Sequence, residues 1–263
     1  MVFLDCASVT GLMGGMGQTV RVIDLETGGP AVSDVCEIGW QDVERGDDGA
    51  WRLAGEGGAR FVNPGRTISP DTMAVHHILD AWVADAPFWA EAAPDVLGPF
   101  PDRVALAAHR ASFEQRHCLP RYTGGASWIC TWKCAIRLWP ELPRFSNQML
   151  RYLRQPQGLE HARGLPAHRG FPDAYVTAHH LRDMLNAASL ETLLDWSRLP
   201  GLLPRVPSGP NRGKSWVDLT EESLGALARD RDQDVRFTAE AERARRGGTS
   251  ADGTPSKPQR TLF

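Results

Sequence analysis

The segment Thr19–Glu26 places the strongest constraint on this chain. It is an apolar run with a β-branched bias (Val20, Val22, Ile23) that ends in two carboxylates and is stopped by Gly28, Gly29 and Pro30. Such a run reads as a buried strand. Side chains at i and i+2 leave a strand on the same face, so Asp24 and Glu26 project together where the strand runs out. Two carboxylates that close repel unless a cation lies between them, and oxygen donors of this hardness suit Mg²⁺ or Mn²⁺. Taken alone, the segment fits a solvated strand end with two unrelated acids equally well.

Two further segments add acids in contexts of their own. Arg103–Ala108 repeats the strand pattern, and Arg110–Leu119 then reads as a short helix with Glu114 about one turn in. His168 and Asp173 stand five apart just before the helical stretch Ala174–Ala187, so both can face a site at the start of that helix. Singly, Glu114 reads as a helix-surface acid and His168 as a hydrogen-bonded structural histidine. Only the combination is specific.

The three segments, Val22–Gly29, Ala108–Glu114 and His168–Ala174, resemble the exonuclease motifs of the DEDDh branch of the 3′–5′ exonucleases. Between them, Ile68–Ile78, Trp128–Pro140 and Phe145–Leu150 are most similar to the exodeoxyribonuclease X group, and the similarity runs over roughly residues 19–187, an ordinary single-domain length. The resemblance implies an α/β fold of the ribonuclease H-like exonuclease type, a mixed central sheet flanked by helices. It also implies two ions, Mg²⁺ or Mn²⁺, on Asp24, Glu26, Glu114 and Asp173, with His168 as general base and nucleoside 5′-monophosphates released one at a time. Thr27, Gly28, His109, Arg110 and Phe113 become candidate substrate contacts. The chain departs from the family pattern twice: Arg110 stands where the second motif carries asparagine, and Glu114 where it carries aspartate. A glutamate keeps the charge but displaces the carboxylate by about a bond length, against strict inner-sphere Mg²⁺ geometry; in the family this acid reaches its metal through water, which absorbs such a shift.

Charge distribution supports a nucleic-acid partner once it is divided along the chain. The net charge is −3, yet residues 1–100 carry 5 Lys/Arg against 15 Asp/Glu, while residues 103–182 carry 12 basic residues against 4 acidic, interleaved with Trp128, Trp132, Trp139 and Tyr152. Basic side chains track phosphates and aromatics stack on unpaired bases; the alternative is that the tryptophans are core. Arg110, Arg116 and Arg169 are the candidate phosphate contacts. Three functions stay open: an exodeoxyribonuclease working on DNA 3′ ends in repair or proofreading, an exoribonuclease that trims RNA, and a catalytically impaired adaptor that binds nucleic acid.

Five cysteines, an odd number without a Cys-x-x-Cys pair, argue against a disulfide framework and fit a reducing cytoplasm. Cys130 and Cys134, with Cys118 and His117, leave zinc open as a minor alternative. Residues 1–18 lack a basic, then apolar, export pattern, and their glycines (Gly11, Gly14, Gly15, Gly17) are preceded by no strand, so they read as a disordered leader or the result of an upstream start codon. The nuclease domain is expected over 19–198. Residues 199–211 hold four prolines and read as a linker; residues 212–246 read as a small helical region whose mixed-charge run Arg229–Arg236 is a solvated helix face. This region resembles the one that follows the nuclease domain in exodeoxyribonuclease X-like proteins, where a Gly-Lys element, here Gly213-Lys214, assists nucleic-acid binding. Residues 247–258 are too polar to fold, and the chain closes on Gln259-Arg260-Thr261-Leu262-Phe263. Gln259, Leu262 and Phe263 resemble the short peptide with which bacterial replication and repair proteins dock on the DNA sliding clamp.

Overall fold

A computed structural model describes residues 17–247. Residues 1–16 of the expected leader, and the clamp peptide at Gln259–Phe263, lie outside the described residues; Gln18, the last residue of that leader, is described and its carbonyl accepts from Arg45 N at 2.9 Å. Within them run strands β1 (Thr19–Thr27), β2 (Val35–Arg45), β3 (Trp51–Phe61), β4 (Arg103–Ala108) and β5 (Trp128–Cys130). The helices are α1 (Pro70–His76), α2 (Asp80–Val83), α3 (Trp89–Leu97), α4 (Glu114–His117), α5 (Pro120–Thr123), α6 (Thr131–Leu138), α7 (Asn147–Arg154), α8 (Gly170–Ala187), α9 (Leu190–Arg198), α10 (Glu221–Leu227) and α11 (Gln233–Gly247).

The sheet order is β3-β2-β1-β4-β5. β1 pairs antiparallel with β2 and parallel with β4, so the sheet is mixed. Parallel pairing needs a crossover, and α1 to α3 lie in the connection from β3 to β4. The central strand is buried on both faces: Val20 and Val22 belong to one core cluster, Ile23 and Leu25 to the other. Asp24 and Glu26 share the parity of Val20 and Val22, which puts them on the face that α8 covers. Helix and sheet come very close there, since a Cβ on Gly39 of β2 would overlap the Gly170 backbone, and only glycine permits that approach.

Two helix boundaries differ from expectation. α8 starts at Gly170, not Ala174, which brings Asp173 into its first turn. The reason is tertiary: Glu37 Oε2 accepts the Gly170 N–H at 2.7 Å, satisfying one of the free donors of the helix start. The expected helix Arg110–Leu119 contracts to Glu114–His117, because Arg110 is left-handed (φ 65°) and Arg110–Phe113 forms a turn.

Residues 199–211 form neither helix nor strand, as the prolines dictate, but the segment is fastened down rather than free. Gly201 N donates to Asp234 Oδ1 at 2.7 Å, Leu203 N to Thr238 Oγ1 at 2.9 Å, and Arg137 Nη2 to the Pro200 carbonyl at 2.6 Å. Val206 joins Trp216, Leu219, Leu224, Val235 and Ala239 in a separate small core. Arg229–Asp232 is a turn leading into α11, with Asp232 Oδ1 accepting from Asp234 N at 2.8 Å, so the mixed-charge run is only partly a helix face. Among the described residues no helix is long and apolar enough to cross a membrane.

Candidate active site

Three of the expected acids meet at the C-terminal end of β1. Ligand oxygens of Asp24, Glu26 and Asp173 all lie within 4.8 Å of one another. Sequence period delivers the first two, and the first turn of α8, docked across that face, delivers the third. Asp24 and Glu26, packed this way, resist ionisation. Withdrawal from solvent, then the charges of Asp173, Glu26, Glu114 and Glu37, hold Asp24 well above the usual carboxylate range. Burial and the charges of Asp173 and Glu37 push Glu26 up to about 8, with Arg169 acting in the opposite direction. A divalent cation would replace the protons that such a cluster otherwise keeps.

Glu114 lies outside the group that falls within 4.8 Å. It is 3% exposed, its Oε2 is buried without a hydrogen-bond partner, and burial pushes its carboxyl up to about 8. An orphaned acidic oxygen on a residue whose charge acts on Asp24 fits an ion, or the water bound to one, better than a closed protein network. The donor set therefore suits a hard divalent metal.

Asp173 is held on both oxygens. Oδ1 accepts from Gln148 Nε2 at 2.7 Å and Asn147 Nδ2 at 3.2 Å; Oδ2 accepts from the His168 N–H at 2.6 Å. His168 is exposed and left-handed (φ 59°), with its backbone facing Asp173. Arg169 next to it grips buried Glu37 through Nη2 at 2.6 Å and Nε at 3.0 Å, so its guanidinium is engaged within the protein and not aimed at substrate. Glu37, Gln148 and Asn147 carry no assignment from the sequence. For Glu37 the signal was present: it is a lone acid inside the apolar run Val35–Trp40.

The expected substrate contacts divide. Thr27 is half-buried at the end of β1, and Phe113 is partly buried with its ring 5.2 Å from that of His117. Arg110 is exposed and lies over Trp132, with Cζ 4.2 Å from the ring centroid. Two assignments need correction. The Gly28 N–H donates to the Asp34 carbonyl at 2.7 Å and is not available to a nucleotide. His109 is turned inward, Nε2 donating to the Phe145 carbonyl at 2.8 Å and Nδ1 lying 3.0 Å from Thr131 Oγ1; burial lowers its pKa to about 4. It ties the end of β4 to the α6–α7 side and has no ring nitrogen left for substrate. The zinc alternative also fails among the described residues, where the three acids form the one cluster suited to a metal. Cys118, Cys130 and Cys134 are core residues, burial pushes the Cys134 thiol up to about 12, and His117 Nδ1 is paired with the Val32 carbonyl.

No family model matches the chain. Exodeoxyribonuclease 10 of Escherichia coli (strain K12) is 36% identical over 210 residues, 79% of this chain and 88% of that protein. Among solved structures, exonuclease X in complex with 5′ overhanging duplex DNA superposes with a TM-score of 0.53 at 34% identity, covering 68% of this chain and 99% of that one. Exonuclease I shares the fold at a TM-score of 0.50 and 16% identity, over 68% of this chain and 43% of its own. With an acidic cluster at the end of β1, a ribonuclease H-like sheet around it and this degree of identity over most of both chains, the protein belongs to the exodeoxyribonuclease X family of DEDDh exonucleases.

Proposed function

We propose that the protein is a metal-dependent 3′–5′ exodeoxyribonuclease that removes nucleoside 5′-monophosphates from DNA ends, in repair or proofreading. The observation that carries this reading is the convergence of Asp24, Glu26 and Asp173 within 4.8 Å, with Glu114 buried outside that group. Divalent ions bound there supply a nucleophilic water at neutral pH and neutralise the departing 3′-oxygen. Asp24, Glu26 and Asp173 would hold the ions, and Glu114 would act on them through water. His168, exposed and bonded through its backbone to Asp173, would take the proton of the attacking water, as a general base must. Thr27 offers a hydroxyl beside the acids, and exposed Arg110 and Arg116 offer positive charge to the incoming strand. DNA is the substrate by which the curated relative is named.

Purified protein with Mg²⁺ or Mn²⁺ should shorten 5′-labelled single-stranded DNA one nucleotide at a time and stop in EDTA. Matched RNA in a parallel reaction reads substrate choice. Cleavage that persists in EDTA, or shortening from the 5′ end, overturns the assignment; a fully inert protein that still binds DNA would be the adaptor that the Glu114 departure allows. On its sequence alone we also propose that Gln259–Phe263 docks a sliding clamp. Deleting those five residues should eliminate clamp association and leave hydrolysis of free oligonucleotides unchanged.

A further inference from the structure

Asp173 and His168 lie on one short segment, and that segment is fastened from opposite sides by residues outside the four acids. From the sheet side, Glu37 on β2 is 2% exposed and directs both carboxylate oxygens at the segment. Oε1 takes Arg169 Nη2 at 2.6 Å; Oε2 takes Arg169 Nε at 3.0 Å and the Gly170 N–H at 2.7 Å. Bidentate pairing of this kind fixes direction as well as distance. Glu37 also sits opposite Glu26 in the β1–β2 ladder, so the anchor and one candidate ligand occupy the same rung of the sheet.

From the helix side, Gln148 on α7 donates to Asp173 Oδ1 at 2.7 Å. Its amide is oriented in turn, because Gln148 Oε1 accepts from Arg151 Nη1 at 3.2 Å. Arg151 is 3% exposed and holds the far end of the same segment through the Gly164 carbonyl at 2.5 Å and the His161 carbonyl at 2.7 Å. Each anchor thus reaches the 161–173 stretch and the rigid scaffold together. A carboxylate has about four lone-pair sites; Gln148 and Asn147 take the two on Asp173 Oδ1 and the His168 N–H one on Oδ2, which leaves one site on Oδ2 for an ion.

We propose that Glu37 and Gln148 are positioning residues of the site: Gln148 sets the direction of the Asp173 carboxylate, and Glu37, through Arg169 and Gly170, sets the backbone that carries both His168 and Asp173. This inference rests on the metal-nuclease reading above and deepens it. Groups that orient a ligand in this way typically govern metal affinity or activity by about 10- to 100-fold.

The test compares the full-length parent with Gln148→Met, which keeps side-chain length and removes the donor, and with Glu37→Gln, which keeps shape and removes the charge. Mn²⁺ affinity is read by calorimetry, and kcat and KM separately on single-stranded DNA. Gln148→Met should bind Mn²⁺ about tenfold or more weakly and lose kcat, with KM and melting temperature near those of the parent. Glu37→Gln should lose more kcat than Gln148→Met for an equal loss of Mn²⁺ affinity, because the general base moves as well. Arg151→Met should reproduce the Gln148→Met defect in part. Parent-like Mn²⁺ affinity and kcat in Gln148→Met overturn the proposal, and this variant decides alone if Glu37→Gln does not fold. A parent that neither binds Mn²⁺ nor cleaves DNA overturns the nuclease reading itself, a result distinguishable from an active parent with indifferent variants.

Discussion

The guanidinium of Arg110 lies 4.2 Å from the ring centroid of Trp132, held there by a backbone that turns left-handed at Arg110 (φ 65°). Asparagine adopts that backbone more readily than arginine, which recovers about what the lost cation–π contact supplied, some 0.5–1 kcal/mol at an exposed position. Arg110→Asn should therefore leave the melting temperature nearly unchanged. If the arginine meets a phosphate, the variant should bind single-stranded DNA more weakly, and the slope of log affinity against log salt should become shallower by about 0.7. An unchanged slope would remove Arg110 from the interface.

Asp24→Asn separates activity from stability in opposite directions. Losing this carboxylate should lower the cleavage rate by about a thousandfold or more, since metal-assisted charge stabilisation contributes several kcal/mol. The same change removes repulsion with Glu26, Glu114 and Asp173, so in EDTA the variant should melt at a higher temperature than the parent. Melting in EDTA at or below the parent's temperature would show that the acids are not in conflict.

Metal removal should expose that conflict as a pH effect. Glu26 and Glu114 rise from 4.5 to about 8 on folding, mainly through burial. A raised acid favours the folded state fully below its unfolded value and loses that contribution as pH climbs through the folded one. The metal-free protein should thus lose stability from these groups between pH 4.5 and 8, and added Mg²⁺ or Mn²⁺ should restore most at the alkaline end. Thermal melts at pH 6 and 8.5, with and without the ion, check both signs.

Acid should act through a second set of groups. Burial lowers His109 and His179 to about 4 and holds His180 well below its ordinary value of 6.5. A depressed histidine contributes stability above its unfolded value and loses it as pH falls through the folded one. Comparison with His109→Gln isolates one member: between pH 6.5 and 4 the melting temperature of the variant should fall less steeply than that of the parent. Parallel curves would mean that His109 carries no such linkage.

Glu114→Gln keeps size and removes the charge from the buried acid. Cleavage should fall by at least about tenfold if Glu114 reaches an ion through water, while the loss of a disfavoured buried carboxylate leaves the metal-free fold as stable or more so. Parent-like kcat would exclude Glu114 from the metal's surroundings.

The strands that bear the site were legible because their signals are local. β1 and β4 fall where apolar periodicity puts them, with β4 at Arg103–Ala108 in both readings. Helix starts were less legible. Asp173 looked as though it preceded a helix because no cap is visible near Gly170; the cap is Glu37, over 130 residues away in the chain. His109 and Gly28 looked available because sequence shows a donor but not its partner, and both partners, the Phe145 and Asp34 carbonyls, are set by packing.

By itself the sequence determined that Asp24 and Glu26 share one face of a buried strand, since a period of two is a property of the backbone alone. It determined too, through its motifs, the family to which the chain belongs. Only the tertiary structure decided that Asp173 closes on that pair, that buried Glu114 stays outside their 4.8 Å group, and that Glu37 and Gln148 hold the segment bearing Asp173. Those relations join residues more than 20 positions apart, and their distances come from how α8 packs on the sheet and α7 on α8, which no local pattern encodes.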